Sequence, residues 1–148
     1  ILIILVFIQI ISGALVAGID AGNAYNDWPL MGGSIFPAEY FDFNTLTGTL
    51  FYNAASVQFN HRISAYLLSV FTVFIWFRSR SSSLDKIKRQ VSILLIVVLF
   101  QILLGVLTVL YSAPLEIAIL HQILAVTMFI TCIKTKFEVD FPSRQQIV

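Results

Sequence analysis

Long stretches without charge constrain this chain more than any other feature. Residues 91–111 and 117–133 carry no Lys, Arg, Asp or Glu, and residues 1–19 are interrupted only by Gln9 and Ser12. Over the whole chain 58% of residues are hydrophobic and 11% are charged, whereas soluble domains carry about 25% charge. Because a helix needs roughly 20 apolar residues to cross a bilayer, the sequence predicts an all-α membrane protein.

Four membrane-spanning helices account for the hydrophobic pattern. They are predicted over about residues 1–19, 53–77, 90–111 and 114–134. Together they form one four-helix bundle over residues 1–134, with a polar outer loop at 20–52 and a cytoplasmic tail at 135–148. Since the chain begins at Ile1 without Met or a basic stretch, we expect a fragment or a truncated gene product.

The basic residues are expected on one side of the membrane. Eight of the nine lie between the second and third helices or near the C-terminus, at Arg78, Arg80, Lys86, Lys88, Arg89, Lys134, Lys136 and Arg144. The outer loop carries acidic residues and no Lys or Arg. By the positive-inside rule, the short loop and the tail face the cytoplasm or the mitochondrial matrix. A net charge of +1 gives no indication of nucleic-acid binding.

A short motif occurs twice. Gln9-x-x-x-Gly13 lies in the first helix and Gln101-x-x-x-Gly105 lies in the third, and in each case the next long helix contains a histidine. This repeat predicts two helical hairpins, each of which supplies one His.

The two histidines, His61 and His121, both fall within predicted spans, where ionisable groups tend to mark function. At 1.5 Å per residue they lie about 12 Å and roughly 10 Å from the outer ends of their helices. Zinc usually takes four ligands, and the single cysteine, Cys132, excludes a Cys-rich site. A haem iron takes two axial ligands, for which His is common. The sequence therefore predicts one haem iron held by His61 and His121, with structural hydrogen bonds between helices as the alternative.

Residues beside the histidines are compatible with a flat macrocycle. Ala65 follows His61 by one turn, and Ala118 and Ala125 flank His121, so small side chains leave room for a ring edge. Gln58 and Gln122 lie close to the two histidines in sequence. They are expected either to hold the imidazoles or to form hydrogen bonds between helices.

Arg62 directly follows one predicted ligand and is costly in lipid without a partner. Because Arg binds carboxylates through two parallel hydrogen bonds, Arg62 is predicted to bind a haem propionate. Two alternatives stay open. The side chain could instead extend to the outer interface, or form an ion pair with a loop acid such as Asp42.

Several motifs in order resemble the haem A synthases, over about residues 7–128. They are GALVAGIDAG from Gly13, Tyr25-Asn26, WPLMG from Trp28, VQFNHR from Val57, Ala65-Tyr66, QILLG from Gln101 and Leu120-His121-Gln122. Members of that family have eight transmembrane helices in two similar four-helix halves, each with a His pair. This chain resembles the C-terminal half, whose His pair holds haem b.

The resemblance implies an oxidoreductase that converts a methyl group of haem O to the formyl group of haem A for cytochrome oxidase. The half that binds haem O carries a Glu shortly before its first His, whereas Gln58 stands three residues before His61 here. We therefore expect no catalytic residue in this half, and expect residues 1–148 alone to bind haem without making haem A. Asp20–Gly33 matches the family, and a plain b-type electron-transfer subunit would not need that loop. That subunit and a non-haem membrane module with structural His remain the alternatives.

The resemblance also implies a location and partners. We expect a multi-pass protein of the bacterial inner membrane, with the mitochondrial inner membrane as the alternative. Its expected partners are membrane lipid, haem O through the N-terminal half, and haem O synthase or oxidase assembly factors.

Overall fold

The computed structural model describes residues 1–42 and 45–141, which form a helical bundle. Its α-helices are α1 Leu2–Gly18, α2 Leu46–Phe51, α3 Ala54–Ser79, α4 Asp85–Leu110 and α5 Leu115–Asp140. Two short 3-10 turns, Ala21–Asn23 and Ala38–Phe41, lie in the outer loop. No β-strand occurs within these described ranges, and the predicted all-α class is confirmed.

The long helices α1, α3, α4 and α5 overlap the four predicted helices, with three differences. α4 begins at Asp85, five residues before its predicted start at about residue 90. α5 continues to Asp140, so the tail predicted from residue 135 begins later. Glu138 near this end forms an ion pair of 2.6 Å with Lys86 of α4, which helps to hold the last turns in place. The short helix α2 lies inside the predicted outer loop. Residues 43–44 of that loop and residues 142–148 of the tail lie outside the described residues.

Local sequence signals explain where the two histidine-bearing helices begin. The Asn53 side chain accepts hydrogen bonds of 2.8 and 3.2 Å from two backbone N–H groups in the first turn of α3, as N-cap residues do. Pro114 directly precedes α5, where a missing N–H costs nothing. Ser112 and Ala113 have positive φ angles of 59° and 51°, and they turn the chain from α4 into α5.

The bundle has the surface of a membrane protein. α4 and α5 are each long and apolar enough to cross a bilayer, with mean hydropathies of 3.1 and 1.9 over their most apolar windows. Large apolar side chains cover the outside of every long helix, among them Phe7, Leu67, Phe100, Leu103 and Ile130. Such a surface is stable when lipid rather than water surrounds it.

The four long helices pack in a ring, in which α1 contacts α3, α3 contacts α4, α4 contacts α5 and α5 contacts α1. The histidine-bearing helices α3 and α5 therefore lie opposite each other. A buried apolar cluster joins all four helices: Val6, Leu68, Leu94, Val98, Met128 and Cys132. This cluster occupies the middle of the bundle and the end near the α3–α4 loop, which leaves the outer-loop end to the polar residues described next.

Candidate functional site

His61 lies on α3, and its side chain packs against α1. We call this pair of helices, α1 with α3, the first hairpin. The Gln9 side-chain nitrogen lies 3.0 Å from His61 Nδ1 and 3.4 Å from Nε2, and it donates to the His61 carbonyl oxygen at 3.1 Å. An atom that meets Nδ1 in the plane of the ring would lie far from Nε2. The near-equal distances therefore place the amide over the face of the imidazole, as an N–H···π contact.

Gly13 lets the edge of the His61 ring approach the backbone of α1. A Cβ atom at this position would lie 3.0 Å from His61 Cε1 and 3.7 Å from each ring nitrogen. Such a contact is tighter than ordinary van der Waals packing, so a larger residue would push the ring away. The absence of a side chain at Gly13 thus fixes how deeply the imidazole sits against α1.

Two serines complete the hydrogen bonds of the first hairpin. The Ser64 hydroxyl donates to Gln9 Oε1 at 2.6 Å. The Ser12 hydroxyl donates to the Gln9 carbonyl oxygen at 2.9 Å and also lies 2.9 Å from His61 Nδ1. Gln9 is buried, and both ends of its amide have partners.

His121 has the same surroundings in the second hairpin (α4 with α5). The Gln101 side-chain nitrogen lies 3.2 and 3.3 Å from the two ring nitrogens and donates to the His121 carbonyl oxygen at 3.0 Å. A Cβ atom on Gly105 would lie 3.1 Å from His121 Cε1. The second hairpin therefore repeats the arrangement of the first, with the amide over the ring face and the glycine at the ring edge.

This duplication confirms the two hairpins predicted from the repeated Gln-x-x-x-Gly motif. The glutamines that contact the imidazoles are those of the repeat, Gln9 and Gln101, and not Gln58 and Gln122. Gln58 was expected beside His61, but its amide nitrogen donates to the Tyr25 carbonyl oxygen at 3.0 Å. Gln122 is exposed. The signal for the correct partners was the repeat itself, since a Gln one turn before a close-packed Gly occurs in both hairpins.

The two imidazoles lie at corresponding positions. His61 is the eighth residue of α3 and His121 the seventh of α5, and both helices start at the outer-loop end. The rings are within electrostatic range of each other. Matched depth on opposite helices is the geometry that was predicted for the pair.

Arg62 is buried and binds the outer loop. Its terminal nitrogens donate to the carbonyl oxygens of Asp27 at 3.0 Å, Leu30 at 2.9 Å and Tyr25 at 3.1 Å. In the part of the chain that is described, Arg62 does not form the ion pair with Asp42 that was one of the two alternatives. Its Nε atom is buried without a partner. A propionate would reach this guanidinium through Nε, through the second N–H of Nη2 or by replacing a loop carbonyl, and propionate binding stays a prediction.

Side chains in the loop stabilise the segment that Arg62 holds. The Asp27 carboxylate accepts hydrogen bonds of 2.9 and 3.0 Å from the backbone N–H groups of Gly33 and Gly32, which lower its pKa. Burial, together with a hydrogen bond to Glu39, raises the pKa of Tyr25 to about 12. The Tyr25 hydroxyl therefore stays protonated and donates to Glu39 at ordinary pH.

The donor set suits the predicted haem iron. The chain has two histidines, and each glutamine lies over a ring face, where it leaves the in-plane lone pair of Nε2 free for a metal bond. The buried apolar cluster lies toward the other end of the bundle. One imidazole from each of two opposite helices is the usual way to hold a haem in a bundle.

Comparison with known proteins gives a consistent match. Residues 1–133 match the family COX15-CtaA, described as "Cytochrome oxidase assembly protein". The heme A synthase of Roseobacter denitrificans is 43% identical over 136 residues, which cover 92% of this chain and 36% of that protein. No solved structure matches the chain.

Other relatives give the same proportions. The heme A synthase of Paracoccus denitrificans is 41% identical over 93% of this chain and 36% of its own length. The heme A synthase of a Wolbachia strain from Brugia malayi is 41% identical over 87% of this chain and 37% of its own length. The chain thus spans a little over one third of the relatives that it matches, which is consistent with a C-terminal half.

Proposed function

Because this chain belongs to the COX15-CtaA family of cytochrome oxidase assembly proteins, we propose that it is the haem b-binding, C-terminal half of a haem A synthase. The reaction of the whole protein would be the oxidation of the haem O methyl group to the formyl group of haem A. The relatives that it matches are named heme A synthase. The chain covers about 36% of their length, so this reaction is proposed for the full-length protein.

One observation carries the proposal: the same Gln, Gly and His arrangement occurs once in each hairpin. Two imidazoles held in this way at matching depth can act as the two axial ligands of one iron. His61 and His121 would be those ligands, and a bound haem b would supply one-electron redox chemistry. Gln9 and Gln101 orient the rings, and Gly13 and Gly105 set their distance from the neighbouring helix.

The outer loop would cover the histidine layer at its open end. Arg62 and Gln58 hold its backbone carbonyls, and the Trp28 indole donates to the Tyr66 hydroxyl of α3 at 3.0 Å. A covered end keeps water away from a bound cofactor, which affects its redox potential. A plain electron-transfer subunit would use the same His pair but would not require this loop, so the loop favours the synthase.

We also propose a multi-pass location in the bacterial inner membrane, since the relatives cited above are bacterial. The partners that fit the proposed reaction are membrane lipid, haem O bound by the N-terminal half, and haem O synthase or oxidase assembly factors. This half supplies no catalytic residue in the proposal.

The test is haem A formation in cells that make haem O, with haems extracted and separated by chromatography. The full-length protein should produce haem A, and residues 1–148 alone should not. Haem A made by the isolated chain would contradict the assignment of this half. A full-length protein that binds haem b but never forms haem A would favour the electron-transfer subunit.

A further inference from the structure

The position of the Ser12 proton determines whether the Ser12 hydroxyl donates to His61 Nδ1 or accepts from it. A serine hydroxyl has one proton to donate and lone pairs with which to accept. Ser12 donates its proton to the Gln9 carbonyl oxygen, a common bond for serine within a helix. With its proton engaged there, the hydroxyl oxygen can only accept at its second contact, 2.9 Å from His61 Nδ1, and a hydrogen bond in that direction requires the Nδ1–H tautomer.

The contact between Gln9 and the His61 ring is compatible with a proton on Nδ1. Its amide nitrogen also lies close to Nδ1, but its similar distance from Nε2 places it over the ring face. The in-plane position at Nδ1 is left to Ser12. With the proton on Nδ1, the lone pair of Nε2 is available to a metal.

The second hairpin lacks this hydroxyl. Ser12 follows Gln9 by three residues, and the residue three after Gln101 is Leu104. Likewise Ser64 follows His61 by three residues, and Leu124 follows His121 by three. Gln101 Oε1 is accordingly buried with no hydrogen-bond partner. Within the described residues, the only group that forms a hydrogen bond near the His121 ring nitrogens is the Gln101 amide over the ring face.

We propose that Ser12 is a positioning residue that holds His61 in its Nδ1–H tautomer, so that His61 and His121 are unequal ligands of one haem. The inference rests on the proposed function, because it assumes that both histidines bind the iron. An imidazole that donates its second N–H to an acceptor is a more basic metal ligand. His61 would therefore stabilise the ferric iron more strongly than His121 does.

The test compares three variants of residues 1–148, purified with bound haem, by redox titration of the haem spectrum. Ser12→Ala removes the acceptor, so we expect a higher midpoint potential and roughly tenfold weaker haem retention. Ser12→Thr keeps a hydroxyl and should restore both values. Leu104→Ser supplies a hydroxyl at the matching position of the second hairpin and should lower the midpoint potential.

Two results would overturn the inference. The first is a midpoint potential of Ser12→Ala equal to that of the wild type, with the spectrum unchanged. The second applies if Ser12→Ala does not fold: a Leu104→Ser protein with an unchanged potential would then contradict the effect of the hydroxyl. A wild-type protein without a bis-histidine spectrum would overturn the proposed function as well. That failure is visible in the wild-type spectrum, whereas the two results above require a wild type with a bis-histidine spectrum.

Discussion

The two hairpins share their central residues and differ in what surrounds them. In each, a Gln lies over the imidazole face and a Gly meets the ring edge. In the first hairpin, Ser64 donates a hydrogen bond to Gln9 Oε1. In the second, the corresponding oxygen of Gln101 has no hydrogen-bond partner among the described residues. The shared Gln and Gly explain how an imidazole packs between two helices. The serines, which only the first hairpin has, determine how firmly that imidazole is held.

The hairpins also differ in their relation to the outer loop. Arg62, directly after His61, holds three loop carbonyls, whereas the corresponding residue after His121 is the exposed Gln122. Gln58, three residues before His61, binds the loop as well, and the corresponding residue in the second hairpin is Ala118. The first hairpin therefore positions its histidine and also binds the loop through Arg62 and Gln58, whereas the second hairpin meets the loop where α4 contacts the 3-10 turn Ala21–Asn23.

The largest expected effect comes from giving the first hairpin the residue of the second, with Arg62→Gln. Hydrogen bonds from a charged donor contribute about 1.5–3 kcal/mol each, so the loss of three should lower the free energy of unfolding by about 3 kcal/mol or more. Limited proteolysis should cut the outer loop faster, and thermal unfolding in detergent should begin earlier. Gln122→Ala is the control and should change neither. A loop in Arg62→Gln as resistant as in the wild type would contradict its anchoring role.

A second prediction tests the part that the hairpins share. Gly13→Ala and Gly105→Ala each place a Cβ about 3 Å from an imidazole carbon, and overpacking of this kind costs roughly 1–3 kcal/mol. Haem content per protein, measured by absorbance, should fall in both. Gly18→Ala is the matched control, because nothing lies within 4 Å of its added Cβ. Equal haem content in all three variants would show that the glycines do not position the rings.

The glutamines should respond unequally. Gln9→Leu removes the bond that Ser64 donates to Gln9 Oε1 and leaves that hydroxyl its bond to the His61 carbonyl oxygen, so one lost hydrogen bond should cost about 0.5–1.5 kcal/mol. Gln101→Leu removes an oxygen that already lacks a partner, so its cost should be smaller. Thermal unfolding of the two variants in the same detergent makes the comparison. A greater loss of stability in Gln101→Leu would reverse the order derived from the serines.

Much of this architecture could be predicted from sequence, for physical reasons. Charge-free stretches identify membrane helices because charge is costly in lipid, and the repeated Gln-x-x-x-Gly motif identified the two hairpins. The contact between Gln9 and His61 was missed, because the two residues lie 52 positions apart and the repeat shows that Gln9 matters without showing what it contacts. The partners of Arg62 could not be predicted either, because they are backbone carbonyl groups, which every residue type has.

The smallest effect concerns pH and the loop that Arg62 of the first hairpin binds. Hydrogen bonds from Gly33 and Gly32 lower the pKa of Asp27. Because the folded pKa lies below the unfolded value of about 3.9, the stabilisation is present above that value and is lost as the pH falls through the folded pKa. Trp28 fluorescence should therefore report loop release only in strong acid. In Asp27→Asn the acid-dependent part of this change should disappear, and an unaltered profile would contradict it.

The central claim is that one iron joins the two hairpins through His61 and His121. Absorption and electron paramagnetic resonance spectra of residues 1–148, purified with bound haem, with His61→Ala and His121→Ala made separately, test it most directly. The wild type should show a low-spin haem with two histidine ligands, and each single substitution should abolish that signature. A bis-histidine signature that persists in either variant would contradict the account.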